Sequence, residues 1–534
     1  MVIKILFFVA LIPLYVLLFF KQKRALAVLQ QNFYNQNFRY LKWIKNNFLL
    51  VILEADVYFP FLVLAINVEP LILTLLFFSY YTLALTNDFR CLKTNFEKKP
   101  LVFTPRVKRL LATSFLIYLL PIVFIFFTYK ESNLIYYFLT LGFLVYVNYF
   151  VLALANYINH PIERLIFKGF LRSAKNKLAK MDHIDVIGIT GSYGKTTTKY
   201  ILNDILSEEF KSFKTPKSFN TENGIVKTIN NDLNKLNDFF VVEMGAFKKG
   251  EIKKLTKIVN PKYGIITKIG KAHLESFKDE LSIKEGKFEL FDAIPDDGAV
   301  VLNFDDPFQK GHKSKTKANV IYVSLKSKKA DVYAENIKYS SDETVFTIKF
   351  KKDNSSIIAK TKLLGEFNVY NILYSVALAN HLDVSNKGIE RAIKKLKPAE
   401  NRLEVKKFND INLIDNSYNS NPIGSSNALE VLKMQNGKKI VMTPGMIELG
   451  VKQYEENHKF GKKMSEVADY VILVGPKQTR AIFDGLMVSE YDVDKIFVVQ
   501  DIKEAFKKLN EIKDDETYVL IENDLPDIFN EKKV

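Results

Sequence analysis

Cysteine is nearly absent from this chain, since Cys91 is the only one among 534 residues. A single cysteine excludes a disulfide framework and any zinc or iron–sulfur site built from cysteines. Cys91 falls in a predicted loop between two apolar runs, which is a poor setting for a catalytic thiol. The composition, 48% hydrophobic and 13% aromatic, also excludes a disordered or collagen-like chain. At roughly 150 residues per domain, we expect three or four domains.

Acidic residues are in the minority, and the formal net charge is +17. Such an excess is typical of nucleic-acid-binding proteins. Its distribution argues against that interpretation, because residues 1–155 hold 15 Lys/Arg and 6 Asp/Glu and so carry about half of the excess. These cations flank long apolar runs, a pattern that membrane topology explains better. We therefore expect a membrane bilayer, and no nucleic acid, as a partner.

Five apolar runs precede residue 156, and each approaches the roughly 20 residues that a helix needs to cross a bilayer. The predicted spans are Val2–Phe20, Phe48–Ile66, Leu71–Thr86, Leu110–Thr128 and Leu134–Ala155. The first and third loops between them are rich in Lys and Arg, whereas the second and fourth are short and nearly free of cations. Because cationic loops stay inside, we expect an external N-terminus and a cytoplasmic chain after residue 156. The first run lacks a small-residue cleavage site, which favours a retained anchor over a signal peptide.

The pattern changes after residue 156. Residues 157–181 are predicted to form a basic amphipathic linker helix beside the inner leaflet. Short β-rich runs then alternate with helical stretches, which is typical of α/β domains with mostly parallel sheets. We expect a transmembrane region over residues 1–156 and two α/β domains, over 182–398 and 399–534. The predicted strands are Asp185–Thr190, Phe239–Met244, Tyr263–Ile266, Ala299–Asn303, Leu413–Asp415, Lys439–Thr443, Tyr470–Val474, Lys495–Val499 and Thr517–Ile521.

The strongest local signal lies at residues 185–198, where an apolar strand enters a Gly/Ser loop and a helix leaves it. Glycines let backbone N–H groups close around a polyphosphate, and the start of the helix adds its positive end. Lys195 is placed to reach the β- and γ-phosphates, and the hydroxyl of Thr196 to hold Mg²⁺. We therefore predict a phosphate-binding loop, with ATP and Mg²⁺ as cofactors.

The spacing of this loop departs from the common G-x-x-x-x-G-K-[ST] pattern, because position 189 is isoleucine. Its Thr-Gly-x-x-Gly-Lys-Thr form is the one seen in Mur ligases and folylpolyglutamate synthetases, which join a carboxylate to an amine using ATP. Over about residues 182–534 the chain resembles the Mur ligase family, most of all the members that add D-Ala-D-Ala to UDP-MurNAc-tripeptide. The resemblance implies an α/β fold: a P-loop Mur-ligase central domain and a C-terminal Rossmann-like domain, here behind an N-terminal helical transmembrane region.

The resemblance also implies metal ligands. Phe239–Ala246 resembles the family strand whose carboxylate, here Glu243, binds the catalytic Mg²⁺. Lys268–Glu275 resembles the family's Ala-His segment, which implies that His273 lies beside a second Mg²⁺. With Thr196, these residues form the expected metal site. A modified lysine, Lys287, is expected to complete it.

Lys287 has this expected role because Glu285–Phe291 resembles the family segment that holds a carbamylated lysine. Carbamylation turns an ammonium into an anionic oxygen ligand. Lys195, His273 and Lys287 are therefore the expected catalytic residues. By the same resemblance, the expected nucleotide contacts are Gly191, Ser192, Gly194, Lys195, Thr196, Thr197, Asn303, Arg402, Asp415, Tyr418, Asn419 and Pro422.

Two segments depart from the family pattern in the domain that binds the amine. Thr443–Gly450 replaces a Gly-Asp-Met-x-Glu-Leu-Gly motif, and Glu522–Asp527 stands where a Lys-Gly-Ser-Arg element is common. The expected partners are a UDP-muropeptide or similar carboxylate acceptor and an amino acid or dipeptide amine. The expected reaction is peptide-bond formation through an acyl phosphate at the inner membrane.

Two alternatives remain open from the sequence. One keeps the chemistry but changes the acceptor to a lipid-linked or polymeric molecule, such as a polyglutamate chain, which the membrane anchor favours modestly. The other is an ATP-driven transporter or membrane signalling ATPase, against which the later motifs argue. ATP hydrolysis that requires both a carboxylate and an amine separates a ligase from a motor.

Overall fold

The structure is a computed structural model that describes residues 2–32, 34, 39–48, 51, 68–94, 100–270, 274–277, 279–312, 314, 316–399, 401–408, 410–418 and 420–524. These residues divide into two compact units, Met1–Lys168 and Gly169–Asp524. The first unit is helical, and the second is built on two sheets.

The described part of the first unit consists mostly of α-helices. Two of them, Ile12–Gln31 and Pro105–Thr128, have proline at the first or second position, where a missing backbone N–H costs nothing. The helix Pro105–Thr128 is also capped by Thr104, whose hydroxyl accepts from the Val107 N–H at 3.3 Å. The helices are α1 Val2–Ala10, α2 Ile12–Gln31, α3 Leu41–Asn46, α4 Pro70–Thr94, α5 Pro105–Thr128, α6 Leu134–Tyr146 and α7 Asn148–Ala179, which runs on past Lys168.

Three helical segments of the described residues are long and apolar enough to cross a membrane, by length and composition: Val2–Gln31, Pro70–Asn87 and Pro105–Thr128. A fourth results if Glu131–Tyr146 and Asn148–Ala179 count as one span bent by 73°. The first, third and fourth predicted spans coincide with these segments. Most of the predicted span 48–66 lies outside the described residues.

The fifth predicted span is bent. The run Leu134–Ala155 breaks at Val147, and it forms one span only if the two helices are counted together. The next residue, Asn148, is buried and its side-chain oxygen accepts from the Tyr118 hydroxyl at 2.8 Å, a polar contact that a hydropathy average hides. Cys91 lies within helix α4 rather than in a loop.

The second unit begins with a sheet of nine strands in the order β2-β3-β1-β4-β5-β6-β7-β8-β9. The strands are β1 Asp185–Thr190, β2 Ser212–Lys214, β3 Phe239–Glu243, β4 Tyr263–Ile266, β5 Ala299–Asn303, β6 Asn319–Ser324, β7 Val332–Tyr339, β8 Thr344–Phe350 and β9 Ser356–Thr361. Neighbouring strands are parallel from β2 to β7 and antiparallel from β7 to β9. The helices are α8 Lys195–Leu206, α9 Glu222–Asn231, α10 Glu251–Val259, α11 Leu274–Phe277, α12 Glu280–Phe288, α13 Glu366–His381 and α14 Asn386–Lys395.

Burial explains why the two ends of this sheet differ. The central strands β3, β4 and β5 are buried along their whole length, as strands covered by helices on both faces must be. Strands β8 and β9 alternate between buried and accessible residues, so only one of their faces is covered. Helices α8 and α13 share a core with the sheet, in which Ile201, Leu202 and Ile372 are fully buried.

The C-terminal sheet has six strands in the order β10-β11-β15-β12-β13-β14, all parallel except β10. The strands are β10 Glu404–Phe408, β11 Ile411–Asn416, β12 Lys439–Thr443, β13 Tyr470–Val474, β14 Ile496–Val499 and β15 Tyr518–Glu522. The helices are α15 Pro422–Lys433, α16 Gln453–Ser465, α17 Arg480–Val488 and α18 Ile502–Ile512. All nine predicted strands are present within one or two residues of the expected bounds.

Helices α16 and α17 cross so closely that glycine is required on both. A Cβ on Gly461 would lie 2.2 Å from the Ile482 carbonyl oxygen, and one on Gly485 would lie 2.2 Å from the His458 carbonyl oxygen. Both clashes are with backbone, which a side-chain rotation does not relieve.

We expect Gly485→Ala to lower the free energy of unfolding by about 1–3 kcal/mol, because it overpacks this crossing. Gly169→Ala is the matched control, since a Cβ there meets nothing within 4 Å and the residue is helical. That control is expected to stabilise the chain by about 0.5–1 kcal/mol. Thermal unfolding of the detergent-solubilised chain measures both, and equal midpoints for the two variants would contradict the crossing described here.

Candidate active site

The predicted phosphate loop connects β1 to α8. Gly191 has φ +145° and Gly194 has φ +83°, conformations that residues with a Cβ rarely adopt. A Cβ on Gly191 would lie 2.0 Å from Thr267 Oγ1, and one on Gly194 would lie 2.4 Å from Asn371 Oδ1. The two glycines therefore let the loop fit between the segment after β4 and helix α13.

The segment after β4 holds this loop in place. The Ser192 hydroxyl donates to the Gly270 carbonyl at 2.9 Å, and the N–H groups of Ser192 and Tyr193 donate to the Lys268 carbonyl at 3.0 and 3.3 Å. Two loop amides are thus already used. A phosphate would bind at the start of α8, where Lys195 and Thr196 begin the helix and the first N–H groups have no intrahelical acceptor.

A small polar cavity lies beside this loop, and residues of both α/β domains line it. The predicted site residues that line it are Ser192, Gly194, Lys195, Thr196, Glu243, Lys287, Arg402 and Tyr418. The other lining residues include Asn421 and, from the segment 218–224 that resembles the family's Asn-rich loop near the muropeptide, Ser218 and Asn220.

The cavity is cationic. Lys195 Nζ donates to the Gly191 and Ser192 carbonyls at 2.8 and 3.2 Å, and burial lowers its pKa to about 8. Lys287 Nζ donates to the Ala246 carbonyl at 3.3 Å, and burial, reinforced by Lys195, holds its pKa well below the ordinary value. Burial also lowers the pKa of Arg402. A low pKa means that the positive charges are poorly solvated and would be stabilised by an anion.

Glu243 is the acidic residue that lines the cavity among the described residues. Burial opposes its ionisation, but Lys199 and Lys195 outweigh that effect and lower the pKa of Glu243. Its two carboxylate oxygens accept from Lys199 Nζ and from Asn220 Nδ2, both at 3.1 Å. The carboxylate is therefore ionised and aimed at the loop.

Lys199 is a residue that sequence reasoning missed. It lies one helical turn after Lys195, is fully buried, and pairs with Glu243 while also donating to the Lys217 carbonyl. Its spacing of four residues from Lys195 places both ammonium groups on one face of α8, which is a signal that the sequence does contain. Removing one member of a buried ion pair leaves an uncompensated charge.

The C-terminal domain reaches the cavity through Tyr418, Arg402 and Asn421. The Tyr418 hydroxyl donates to Ser218 Oγ at 2.6 Å, and the Arg402 guanidinium carbon lies 4.7 Å from the centre of the Tyr418 ring. Asn421 caps α15 by accepting from the Gly424 N–H at 2.8 Å. These contacts bring the two α/β domains to one cleft.

Five other predicted nucleotide contacts among the described residues do not line the cavity: Gly191, Thr197, Asn303, Asp415 and Pro422. The Asn303 amide donates to the Tyr374 hydroxyl at 2.9 Å, and Asp415 accepts from Lys406 Nζ at 2.8 Å. Their nucleotide roles stay predictions. His273 and Asn419 lie outside the described residues, and so do their predicted roles.

Glu522 is a buried carboxylate at the end of β15. It begins the segment in which this sequence departs from the family pattern. It accepts from Asn416 Nδ2 and Ser425 Oγ, both at 2.7 Å, and from the Ser420 hydroxyl. All three donors belong to β11, α15 or the segment between them. Burial raises the pKa of Glu522 to about 7, so it gains a proton near neutrality.

Stability is expected to depend on pH through Glu522. Its folded-state pKa lies above its unfolded value of 4.5, so folding takes up a proton and the carboxyl destabilises the folded state as pH rises. Relative to Glu522→Gln, wild type should lose about 2 kcal/mol between pH 5.5 and pH 8. Unfolding midpoints measured for both proteins across this range check it. A constant difference between them would show that Glu522 does not titrate there.

Comparison with known proteins gives family matches over the second unit. Residues 189–379 match the Mur ligase middle domain, and residues 401–521 match the Mur ligase glutamate ligase domain. Together the two models cover more than half of the chain, and they contain every described residue that lines the cavity.

Individual relatives agree with the family matches. The chain is 29% identical over 269 residues to the UDP-N-acetylmuramoyl-tripeptide–D-alanyl-D-alanine ligase of Bacillus subtilis, covering 50% of this chain and 57% of the relative. It is 27% identical to the ligase of the same name from Escherichia coli, covering 60% and 70% of the two chains. The chain thus spans just over half the length of the first of these relatives.

Solved structures of the same kind are similar in fold. MurF from Acinetobacter baumannii aligns with a TM-score of 0.60 and 27% identity, covering 67% of this chain and 77% of that one. MurF from Thermotoga maritima in complex with ADP aligns with a TM-score of 0.59 and 26% identity, covering 67% and 80%. Both family domains are matched in order, and the phosphate loop lies within the first of them. This chain belongs to the Mur ligase family.

Proposed function

We propose that this chain is an ATP-dependent, ADP-forming ligase that joins D-Ala-D-Ala to a UDP-MurNAc-tripeptide in peptidoglycan precursor synthesis. The observation that carries the proposal is the cationic cavity, in which Lys195 and Arg402 converge beside the start of α8. Such a cavity suits a polyphosphate. The relatives named above supply the substrate class, because two of them carry this ligase activity in their names.

ATP would bind with its phosphates at the start of α8 and its nucleoside towards the C-terminal domain. Lys195 now donates to loop carbonyls, and a phosphate oxygen would replace them as its partner. Arg402 and Tyr418 offer a guanidinium and an exposed ring on the opposite wall. The similarity to a family structure in complex with ADP supports this placement.

The residues present fit Mg²⁺. Glu243 and Thr196 supply hard oxygen donors in the cavity, and the described residues contain no cluster of three or more His, Cys, Asp or Glu. Mg²⁺ usually takes only one or two protein ligands and completes its coordination shell with phosphate oxygens and water. When bound, the ion would neutralise charge on the transferring phosphoryl group. His273 stays a predicted neighbour of a second Mg²⁺.

Lys287 fits the proposed carbamate. Only a neutral amine adds to CO₂, and burial keeps the pKa of Lys287 well below its ordinary value. The side chain already lies in the cavity, with its Nζ on the Ala246 carbonyl. As a carbamate it would present anionic oxygens close to Lys195.

The proposed reaction has two steps. An oxygen of the acceptor carboxylate attacks the γ-phosphorus, a P–O bond forms, the β–γ bond breaks and ADP leaves. The amine nitrogen then attacks the acyl carbon, a C–N bond forms, the C–O bond to phosphate breaks, and the amine loses its proton as phosphate departs. Lys195 and the α8 N-terminus would stabilise the charge of the first step, and the contact of Tyr418 with Ser218 would keep water out.

We also propose that the chain is a multi-pass membrane protein with its catalytic domains in the cytoplasm. The apolar lengths of Val2–Gln31, Pro70–Asn87 and Pro105–Thr128 support membrane insertion. The excess of Lys and Arg in the loops on one side supports the orientation.

The test is a ligation assay on the full chain in detergent. We expect ADP release with ATP and Mg²⁺ to require both UDP-MurNAc-tripeptide and D-Ala-D-Ala, and the acceptor to gain the mass of the dipeptide. Polyglutamate in place of the muropeptide is the comparison arm. If product forms with polyglutamate but not with the muropeptide, polyglutamate is the acceptor in place of the one proposed. ADP release without any amine would refute the proposed ligase activity.

Lys195→Ala is expected to slow ligation at least roughly 10²-fold. The reason is that the lost ammonium group would stabilise the developing negative charge of the transition state by several kcal/mol. Lys329→Ala is the matched control, since this lysine is exposed in a turn of the same domain. Rates from single-turnover ADP release compare the two variants. Wild-type rates in the Lys195 variant would contradict its role.

A further inference from the structure

Arg106 occupies an unusual position in the helical unit. It lies in the first turn of α5, and its guanidinium carbon is 4.0 Å from the centre of the Tyr34 ring. One terminal nitrogen donates to Asn156 Oδ1 of α7 at a long 3.4 Å. The guanidinium is therefore held between α7 and the residues that follow α2, and it has no carboxylate partner in either contact.

The carboxylate that could neutralise Arg106 is already used. Among the described residues 21–48, 100–109 and 156–168, which we call the cationic end, Glu163 is the one acidic residue against eleven Lys/Arg. Arg109 binds both oxygens of Glu163, at 2.7 and 3.0 Å. Glu163 also attracts the charge of Arg106 through space, but its two side-chain hydrogen bonds among the described residues go to Arg109.

Two buried donors at the cationic end lack acceptors among the described residues. One is Arg106 Nε, and the other is Nδ2 of Asn159, a side chain that is 4% exposed. The Asn159 oxygen is satisfied, because it accepts from Thr113 Oγ1 at 2.9 Å. Asn159 follows Asn156 by three residues on α7, so both amides lie on one face of the helix. Buried donors without partners are costly and indicate a missing acceptor.

The chemistry of these donors selects the missing group. A guanidinium presents several N–H groups in a plane and binds phosphate oxygens in pairs, with an amide N–H₂ as an additional donor. The site is at the end of predicted membrane spans, where α5 begins and α2 ends, which is the depth of lipid headgroups. We infer that Arg106 and Asn159 form a binding site for the phosphate group of an anionic phospholipid.

This site is independent of the ligase chemistry, because every contact that defines it lies within residues 34–163. Failure of the ligation assay would leave it unchanged. Lipid bound here would tie the ends of α5 and α7 together through one phosphate and would stabilise the helical unit.

The test measures the unfolding midpoint of the full chain in detergent while phosphatidylglycerol is added. A ligand that binds the folded state raises the midpoint with its concentration. We expect saturable stabilisation by phosphatidylglycerol, none by phosphatidylcholine, and none by inorganic phosphate at the same concentration. Stabilisation by inorganic phosphate equal to that by the lipid would refute the lipid assignment, and no stabilisation by either would refute the site.

Variants locate the response. Arg106→Gln is expected to weaken the apparent lipid affinity roughly tenfold or more, because it removes a charged bidentate donor. Lys108→Gln is the matched control, since it removes the same charge from an exposed neighbour on α5. Equal weakening by both variants would mean diffuse surface attraction and would overturn the inference.

A second variant covers the case in which Arg106→Gln does not fold. Asn159→Asp keeps the size of the side chain and its oxygen for Thr113 but replaces the free donor by a carboxylate. The new charge repels phosphate, so the response to phosphatidylglycerol should disappear. Trp43, the single tryptophan, stacks on Tyr149 at 5.8 Å in the same unit and reports its folding by fluorescence. An unchanged lipid response in Asn159→Asp would overturn the inference.

Discussion

The cleft depends on the balance between several cations that are partly or fully withdrawn from water and one carboxylate. Lys195, Lys199 and Arg402 have pKa values lowered by burial, and Glu243 offsets part of their charge. Such a cluster costs free energy in the empty cleft, because charges leave water without full compensation. Binding of a polyanion would recover that cost. The glycine loop, the position of α8 and the contact between the two domains all serve to place these charges around one volume.

The C-terminal domain supplies side chains to the cleft and also holds them in position. Arg402 and Tyr418 face the phosphate loop, and the Tyr418 hydroxyl reaches Ser218 across the cleft. The segment that carries Tyr418 is itself held by Glu522, whose acceptors bind Asn416, Ser420 and Ser425. A chain with lysine at position 522 could not accept these hydrogen bonds. The departure from the family pattern is thus coupled to the shape of the cleft.

Local patterns predicted the strands and the phosphate loop, because buried parallel strands are apolar runs and the loop needs glycine at positions with positive φ. Patterns could not reveal Lys199 as the partner of Glu243, since the pair is 44 residues apart and is made by packing α8 against β3. They also missed the antiparallel strands β7–β9, whose one-sided burial follows from their place at the sheet edge. The break at Val147 escaped notice because one buried Asn148–Tyr118 hydrogen bond, not composition, accompanies it. The roles of Asn303 and Asp415 came from resemblance, and their contacts here lie away from the cavity.

Proton uptake on nucleotide binding tests the charge balance most directly. At pH 8, Lys195 with a pKa of about 8 is half protonated in the empty cleft, and a bound diphosphate should restore its charge. Calorimetric titration of the full chain with ADP, without divalent cations and in buffers of different ionisation enthalpy, measures the protons exchanged. The account predicts uptake of about half a proton per ADP bound. Binding with no proton exchange, or with proton release, would contradict a cleft of under-neutralised cations awaiting a polyphosphate.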